Sequence, residues 1–260
     1  MAFPWITSLR QRFAKRPAPD SATGGLRIPF VNRSWLHTSL QFTGTEAQSR
    51  MWTFRPQALL VGYTRSMMAF VRFVGHPERI AMIGLGGGSL AKYCYRHLPS
   101  AVIDVVEINP EVLALRDTFR VPKDDARFRV HLDDGALFLR RHRRRYDVLL
   151  VDGYDETGIP APLASQRFYN DCHAALVEGG VLVVNLFCAD ADRHLQRIRK
   201  RFGAAMISVP QPKISNQVVF AWVAGPRGKQ VDSALSKQAQ ADLAGELERL
   251  DVALAEKRRG

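Results

Sequence analysis

Residues Ile80 to Asn109 read IAMIGLGGGSLAKYCYRHLPSAVIDVVEIN, and this stretch decides the fold. Ile80, Met82 and Ile83 form a short apolar run of the kind that becomes a buried strand. Gly84-Leu85-Gly86-Gly87-Gly88-Ser89 follows at once. Glycines remove side chains there, so a ligand can approach the backbone closely and the turn can take positive φ. Ser89 or Leu90 opens a helix, and Ala101 to Ile108 reads as a second strand with Glu107 near its carboxyl end. An acid in that place can accept hydrogen bonds from two ribose hydroxyls. A glycine-rich turn alone carries little. Strand, turn, helix, strand and acid in that order predict a nucleoside bound at the carboxyl edge of a parallel sheet, with Gly84, Gly86, Gly87 and Glu107 as candidate contacts.

Downstream, strand and helix patterns keep alternating. VIDVVEI is followed by the helix PEVLALRDTF, RFRVHLDD by GALFLRRHR, and YDVLLVDGY by SQRFYNDCHAAL and then GGVLVVNLF. ADADRHLQRIRKRF reads as a helix, and AMISVP and NQVVFAWVA as an antiparallel hairpin closing one edge. Such alternation implies right-handed crossovers and a mostly parallel sheet. The fold class is therefore α/β, a Rossmann-like doubly wound sheet. Upstream, residues 27–76 hold a small β region built from RIPFVNRSWLHTSLQF and SRMWTFRPQALLV, then a linking helix through YTRSMMAFVRFV. The domain reading is a basic arm over 1–26, this β region over 27–76, the nucleoside-binding domain over 77–224, and a polar helical tail over 225–260.

Composition bounds the function. The chain has 260 residues, 46% of them hydrophobic, which suffices for one full core with an appendage. No apolar run approaches the ~18 residues that span a bilayer, and the basic opening MAFPWITSLRQRFAKR has no small-residue cleavage site after it. Three cysteines, Cys94, Cys172 and Cys188, have neither zinc nor disulfide spacing, and the expectation is a reduced, cytoplasmic protein without a metal. His97, His131 and His173 lack ligand spacing too. The net charge of +12 gathers at both chain ends and in RRHRRR, 140–145. Cations suit a helix C-terminus, and no aromatic residues interleave them for base stacking. A solvated basic face is expected, with neither a nucleic-acid nor a membrane partner.

Acids recur where the strands end. Glu107 closes the second strand, Asp133 and Asp134 the third, and Asp152 and Asp155 follow the fourth. In a parallel sheet these ends open onto one crevice. Each acid alone also fits a cap or turn; Asp134 can cap the helix that starts at Gly135, and Asp155 can make an Asx turn. Recurrence at three consecutive strand ends favours a site. Tyr154 either lines that site or packs, and Asn185 either faces the crevice or terminates its strand.

The order GGG, VEIN, DDG, then D-x-x-D and G-x-P resembles the spermidine synthase family of aminopropyltransferases. The nucleotide half of the pattern is shared with S-adenosylmethionine-dependent methyltransferases. VDGYDETGIPAPLASQRFY, with the aromatic pair Phe168-Tyr169, is the more diagnostic part, and AQSRM and LLVGYTRSMM are similar to family segments ahead of the core. The resemblance implies a methyltransferase-type sheet and an aminopropyl transfer from decarboxylated S-adenosylmethionine, a co-substrate rather than a resident cofactor, to a putrescine-like amine. It also implies a homodimer. Carried over residue by residue, it has Glu107 hold the ribose, Asp134 the adenine amino group with Gly135 allowing close approach, and Asp152 the attacking amine as its base. Asp155 helps hold the acceptor, and Tyr63 walls its channel.

The family's glycine turn carries an aspartate where this chain has Gly87, and its late tyrosine-bearing loop is replaced by QPKISNQ. Two other readings stay open, one from Gly87 and one from the basic run RRHRRR. One is an S-adenosylmethionine methyltransferase, with Gly87 leaving room for the methionine carboxylate. The other is a non-catalytic relative that binds a nucleoside or nucleic acid.

Overall fold

A computed structural model describes residues 26–42, 47–154, 158–187, 191–211, 216–224 and 234–259. The apolar run that opens the decisive stretch is β4 (Arg79–Ile83), followed by α2 (Ser89–His97) and β5 (Val102–Glu107). The later pairs are α3 (Pro110–Ala114) with β6 (Phe128–Leu132), then α4 (Gly135–Arg141) with β7 (Tyr146–Val151). Next come α5 (Ala161–Ala164), α6 (Gln166–Ala175) and β8 (Leu176–Leu186), then α7 (Ala191–Phe202), β9 (Met206–Pro210) and β10 (Gln217–Trp222). The sheet order is β6-β5-β4-β7-β8-β10-β9. Strands β6 to β8 pair in parallel, while β10 pairs antiparallel with both β8 and β9. The chain leaves β4 toward β5 on one side and reaches β7 on the other, so a crevice opens where the strand order reverses.

Alternation within the strands builds two apolar layers, because successive side chains point to opposite faces. Ile80, Met82, Ile103, Val105, Val148 and Leu150 join one core, and Ala81, Ile83, Val106, Leu149 and Val151 the other. Helices α4, α6 and α7 cover the second face. On the first face lie α2, α1 (Gly62–Met67) and a 3-10 turn, Met68–Arg72. The predicted helix over 63–74 is thus split into two kinds of turn.

The N-terminal β region is a three-stranded antiparallel sheet of β1 (Phe30–Arg33), β2 (His37–Gln41) and β3 (Ala47–Trp52). Its Leu40 and Met51 enter the first core. The tail folds as α8 (Lys237–Asp242) and α9 (Ala244–Arg259) and buries Leu243, Leu247 and Leu250 in that same core. Glu246 pairs with Arg65 at 3.2 Å. The expected basic arm lies outside the described residues apart from Leu26, as does Cys188; Cys94 and Cys172 are buried. Among the described residues, no helix is long and apolar enough to cross a membrane.

The helix predicted over PEVLALRDTF ends at Ala114. Asn109 caps it by accepting from Glu111 N at 3.0 Å. The following turns bring Phe119 and Val121, both buried, beneath the glycine turn. Lys92 of α2 is buried there too and donates to the Phe119 carbonyl at 2.8 Å. Burial, helped by nearby Arg120, lowers Lys92 from 10.5 to about 7. A base depressed in the folded state is protonated more readily in the unfolded chain between these two values. Stability should therefore rise as pH climbs from about 7 toward 10.5, by at most about 1.4 kcal/mol per pH unit. Urea unfolding at pH 7 and pH 9 measures the rise, and Lys92→Met should flatten it.

Candidate active site

The carboxyl ends of β4 to β8 border a cavity of about 990 Å3. Glu107, Asp133, Asp134 and Asp152 line it from successive strand ends, and Tyr63, Tyr154 and Asn185 line it beside Asp152. Arg27, His37 and Arg50 border it from the N-terminal region. A second, small cavity of about 40 Å3 shares Tyr63, Gly84, Gly86 and Asp152 with the first. Ser49, Thr64 and Ser89 bring hydroxyls to its wall, and among the described residues Asp152 is the one carboxylate that lines it.

Backbone geometry sets the glycine turn against β7. Gly84 has φ +97°, and a Cβ there would lie 2.3 Å from the Asp152 carbonyl oxygen. Only a residue without a side chain admits that contact. Glu107 is buried, and each of its oxygens holds this end of the sheet. Oε2 accepts from Leu85 N and Oε1 from Asn109 N, both at 2.9 Å. A carboxylate offers about four acceptor positions, so two remain for a ligand. Asp134 is the N-cap of α4; its Oδ1 accepts from Ala136 N at 2.7 Å and Leu137 N at 2.9 Å. The cap and a cavity-facing position thus coincide in one residue. A Cβ at Gly135 would meet Ile83 Cγ2 at 2.5 Å, so this glycine lets α4 sit directly on the end of β4.

Asp152 accepts from two side chains. Its Oδ2 accepts from Tyr63 OH at 3.0 Å and its Oδ1 from Asn185 Nδ2 at 2.9 Å. Burial raises its carboxyl above the ordinary value of 3.8, and the two donors partly oppose that. Tyr63 is pushed well above 10.0, first by burial and then by the Asp152 charge. Tyr154 OH donates to the Asn185 carbonyl and accepts from Phe187 N, both at 2.6 Å. Its hydroxyl ties the loop after β7 to the end of β8 and leaves the ring as wall. Asn185 is buried and faces Asp152, which settles the alternative left by the sequence. Asp155, read as an acceptor-holding residue, lies outside the described residues. Among the described residues, no three His, Cys, Asp or Glu side chains could hold a metal ion.

Gly87 departs from the sequence reading. It lines neither cavity. A Cβ there would lie 2.6 Å from Ser49 Oγ and 2.9 Å from Phe119 Cδ1. The room expected for a methionine carboxylate is filled by the N-terminal sheet and the segment after α3. Gly87→Asp should accordingly destabilise the fold by about 1–3 kcal/mol through overpacking and should not tighten a cationic donor. Urea midpoints and donor titration of the variant check both statements.

Comparison with known proteins shows the family. The model of the spermine/spermidine synthase domain matches residues 60–220. The chain belongs to the spermine/spermidine synthase family. It is 33% identical over 205 residues to a polyamine aminopropyltransferase of Neisseria meningitidis, covering 77% of this chain and 78% of that one. In fold it is similar to a probable spermidine synthase from Corynebacterium glutamicum, with a TM-score of 0.65, 20% identity, and coverage of 84% of this chain and 83% of that chain. It is also similar to a spermidine synthase in complex with the transition-state analogue AdoDATO, with a TM-score of 0.58, 18% identity, and coverage of 85% and 88%. The family is enzymatic, and this chain is a transferase of its aminopropyltransferase type, on a methyltransferase-like fold.

Sequence reasoning gave Ser66, Gln211 and Asn216 no role; Ser66 Oγ donates to Gln211 Oε1 at 2.6 Å and Asn216 Nδ2 to Asn185 Oδ1 at 2.9 Å, pairings between distant residues that no local pattern marks.

Proposed function

We propose that this protein moves the aminopropyl group of decarboxylated S-adenosylmethionine to a small, putrescine-like amine, with Asp152 as the base. The observation that carries this reading is the position of Asp152, which lines both cavities and carries two neutral hydrogen-bond donors. The larger cavity takes the nucleoside. Glu107 accepts from the ribose hydroxyls, Asp134 uses its second oxygen for the adenine amino group, and Gly84, Gly86 and Gly135 let the backbone come close. Gly87 acts one layer below, as packing for the turn.

The small cavity takes the end of the donor. Among the described residues, its wall bears hydroxyls and one carboxylate and no Lys, Arg or His. Such a wall suits an ammonium and disfavours the carboxylate of S-adenosylmethionine. The acceptor enters beside Tyr63 and Tyr154. A protonated amine cannot attack, so Asp152 takes its proton. The freed nitrogen bonds to the aminopropyl carbon next to sulfur, and the carbon–sulfur bond breaks. Methylthioadenosine departs with the electron pair. The sulfonium is already a good leaving group, so positioning supplies much of the remaining rate.

Calorimetric titration of the two donors tests the reading. Decarboxylated S-adenosylmethionine should bind at least about tenfold tighter, a difference of about 1.4 kcal/mol. The opposite preference would support the methyltransferase reading. We propose further that two copies associate through the N-terminal sheet, where Trp35 and Phe54 are exposed. Sedimentation of a Trp35→Ser variant checks that.

A further inference from the structure

A ring of buried polar groups leaves Asp152 and returns to it. Asn185 Nδ2 donates to Asp152 Oδ1 at 2.9 Å, and Asn185 Oδ1 accepts from Asn216 Nδ2 at 2.9 Å. The Asn216 carbonyl accepts from Gln211 N at 2.9 Å. Gln211 Oε1 accepts from Ser66 Oγ at 2.6 Å. Ser66 and Tyr63 share α1, and Tyr63 OH closes the ring on Asp152 Oδ2 at 3.0 Å. Asn185, Ser66, Gln211 and Asn216 are 3, 4, 6 and 8% exposed. The reaction described above uses neither Ser66, Gln211 nor Asn216.

The direction of each bond follows from chemistry. An ionised carboxylate only accepts, so Asn185 must turn its NH2 toward Asp152 and its oxygen away. That buried oxygen then needs a donor, since leaving it unmatched is costly. Asn216 supplies one. Were the Asn185 amide flipped, its oxygen would face the carboxylate.

We propose that Asn216 is a positioning residue for the transfer, locking the Asn185 amide in the one orientation that donates to Asp152. Gln211 and Ser66 hold the Asn216 main chain and tie the lock to the helix that carries Tyr63. The proposal rests on Asp152 being the base. Its consequence is a carboxylate kept ionised, and therefore able to take a proton, despite burial that favours the neutral form.

The pH profile of kcat/KM for the full chain tests this, since it reports the free enzyme's essential base. The titratable groups near Asp152 are Tyr63 on α1 and Tyr154 after β7. Across the cavity stand Glu107, Asp133 and Asp134, with Arg27, His37 and Arg50 on the N-terminal side. A His37→Gln background removes the imidazole from the profile. Asn216→Asp is isosteric and puts an acceptor where the donor stood, so Asn185 must turn its NH2 away from Asp152. Asn216→Leu removes the donor without adding charge. Both should move the acidic limb upward, the aspartate variant by about one pH unit or more, with methylthioadenosine affinity retained. An unmoved limb in a folded Asn216→Asp variant overturns the lock, provided Asp152→Asn lowers turnover by about 10²-fold or more. If Asp152→Asn turns over like wild type, the base assignment itself has failed, and the lock with it.

Discussion

Asp152→Asn should lower turnover by about 10²-fold or more while leaving the fold and the affinity for methylthioadenosine as they are. Asparagine keeps the shape: its oxygen can accept from Asn185 Nδ2, and its NH2 can donate to the Tyr63 hydroxyl oxygen, so both neighbours retain a partner. It cannot take the proton of an ammonium. The pH dependence sharpens the expectation. Burial holds Asp152 above the ordinary carboxylate value, and a base works only when ionised. Activity in kcat/KM should rise with pH through that raised value, and this limb should vanish in the asparagine variant. Steady-state kinetics across the acidic range measure both effects. An asparagine variant with wild-type turnover removes Asp152 from the chemistry.

Glu107→Ala should weaken nucleoside binding by about 1–3 kcal/mol, the cost of leaving buried hydroxyls without a charged acceptor. The structure adds a second reason. Glu107 also accepts from Leu85 N and Asn109 N, so its loss loosens the glycine turn and the start of α3 together. The effect should appear with methylthioadenosine as strongly as with either donor, because all three carry the same ribose. Unaltered affinity for methylthioadenosine excludes Glu107 from the site. Glu107→Gln separates the two causes, because it keeps one backbone acceptor and loses the charge.

Much of this architecture is legible from residues alone. Ile80 to Ile83 and Tyr146 to Val151 read as strands because buried parallel strands are continuously apolar. The acids at 107, 133, 134 and 152 mark strand ends because ionised groups do not continue into a core. What escapes the reading is pairing across sequence. Tyr63 meets Asp152 89 residues away, and Asn185 meets Asn216 across an antiparallel edge. An asparagine after VLVV looks the same in sequence whether it ends a strand or orients a base. Gly87 shows the same limit in reverse. Its missing side chain reads as an open place for a ligand, yet Ser49 and Phe119 fill that place from two other parts of the chain. The helix expected past Ala114 fails for a related reason, since Phe119 and Val121 gain more by packing under the glycine turn than by continuing the helix.

The measurement that tests the central claim most directly is product analysis of the purified full chain with decarboxylated S-adenosylmethionine and putrescine. The account predicts an acceptor enlarged by one aminopropyl group, with one methylthioadenosine released per transfer and its formation slowed about 10²-fold or more in Asp152→Asn. A chain that leaves both compounds unchanged, yet methylates an acceptor from S-adenosylmethionine with release of S-adenosylhomocysteine, would contradict it.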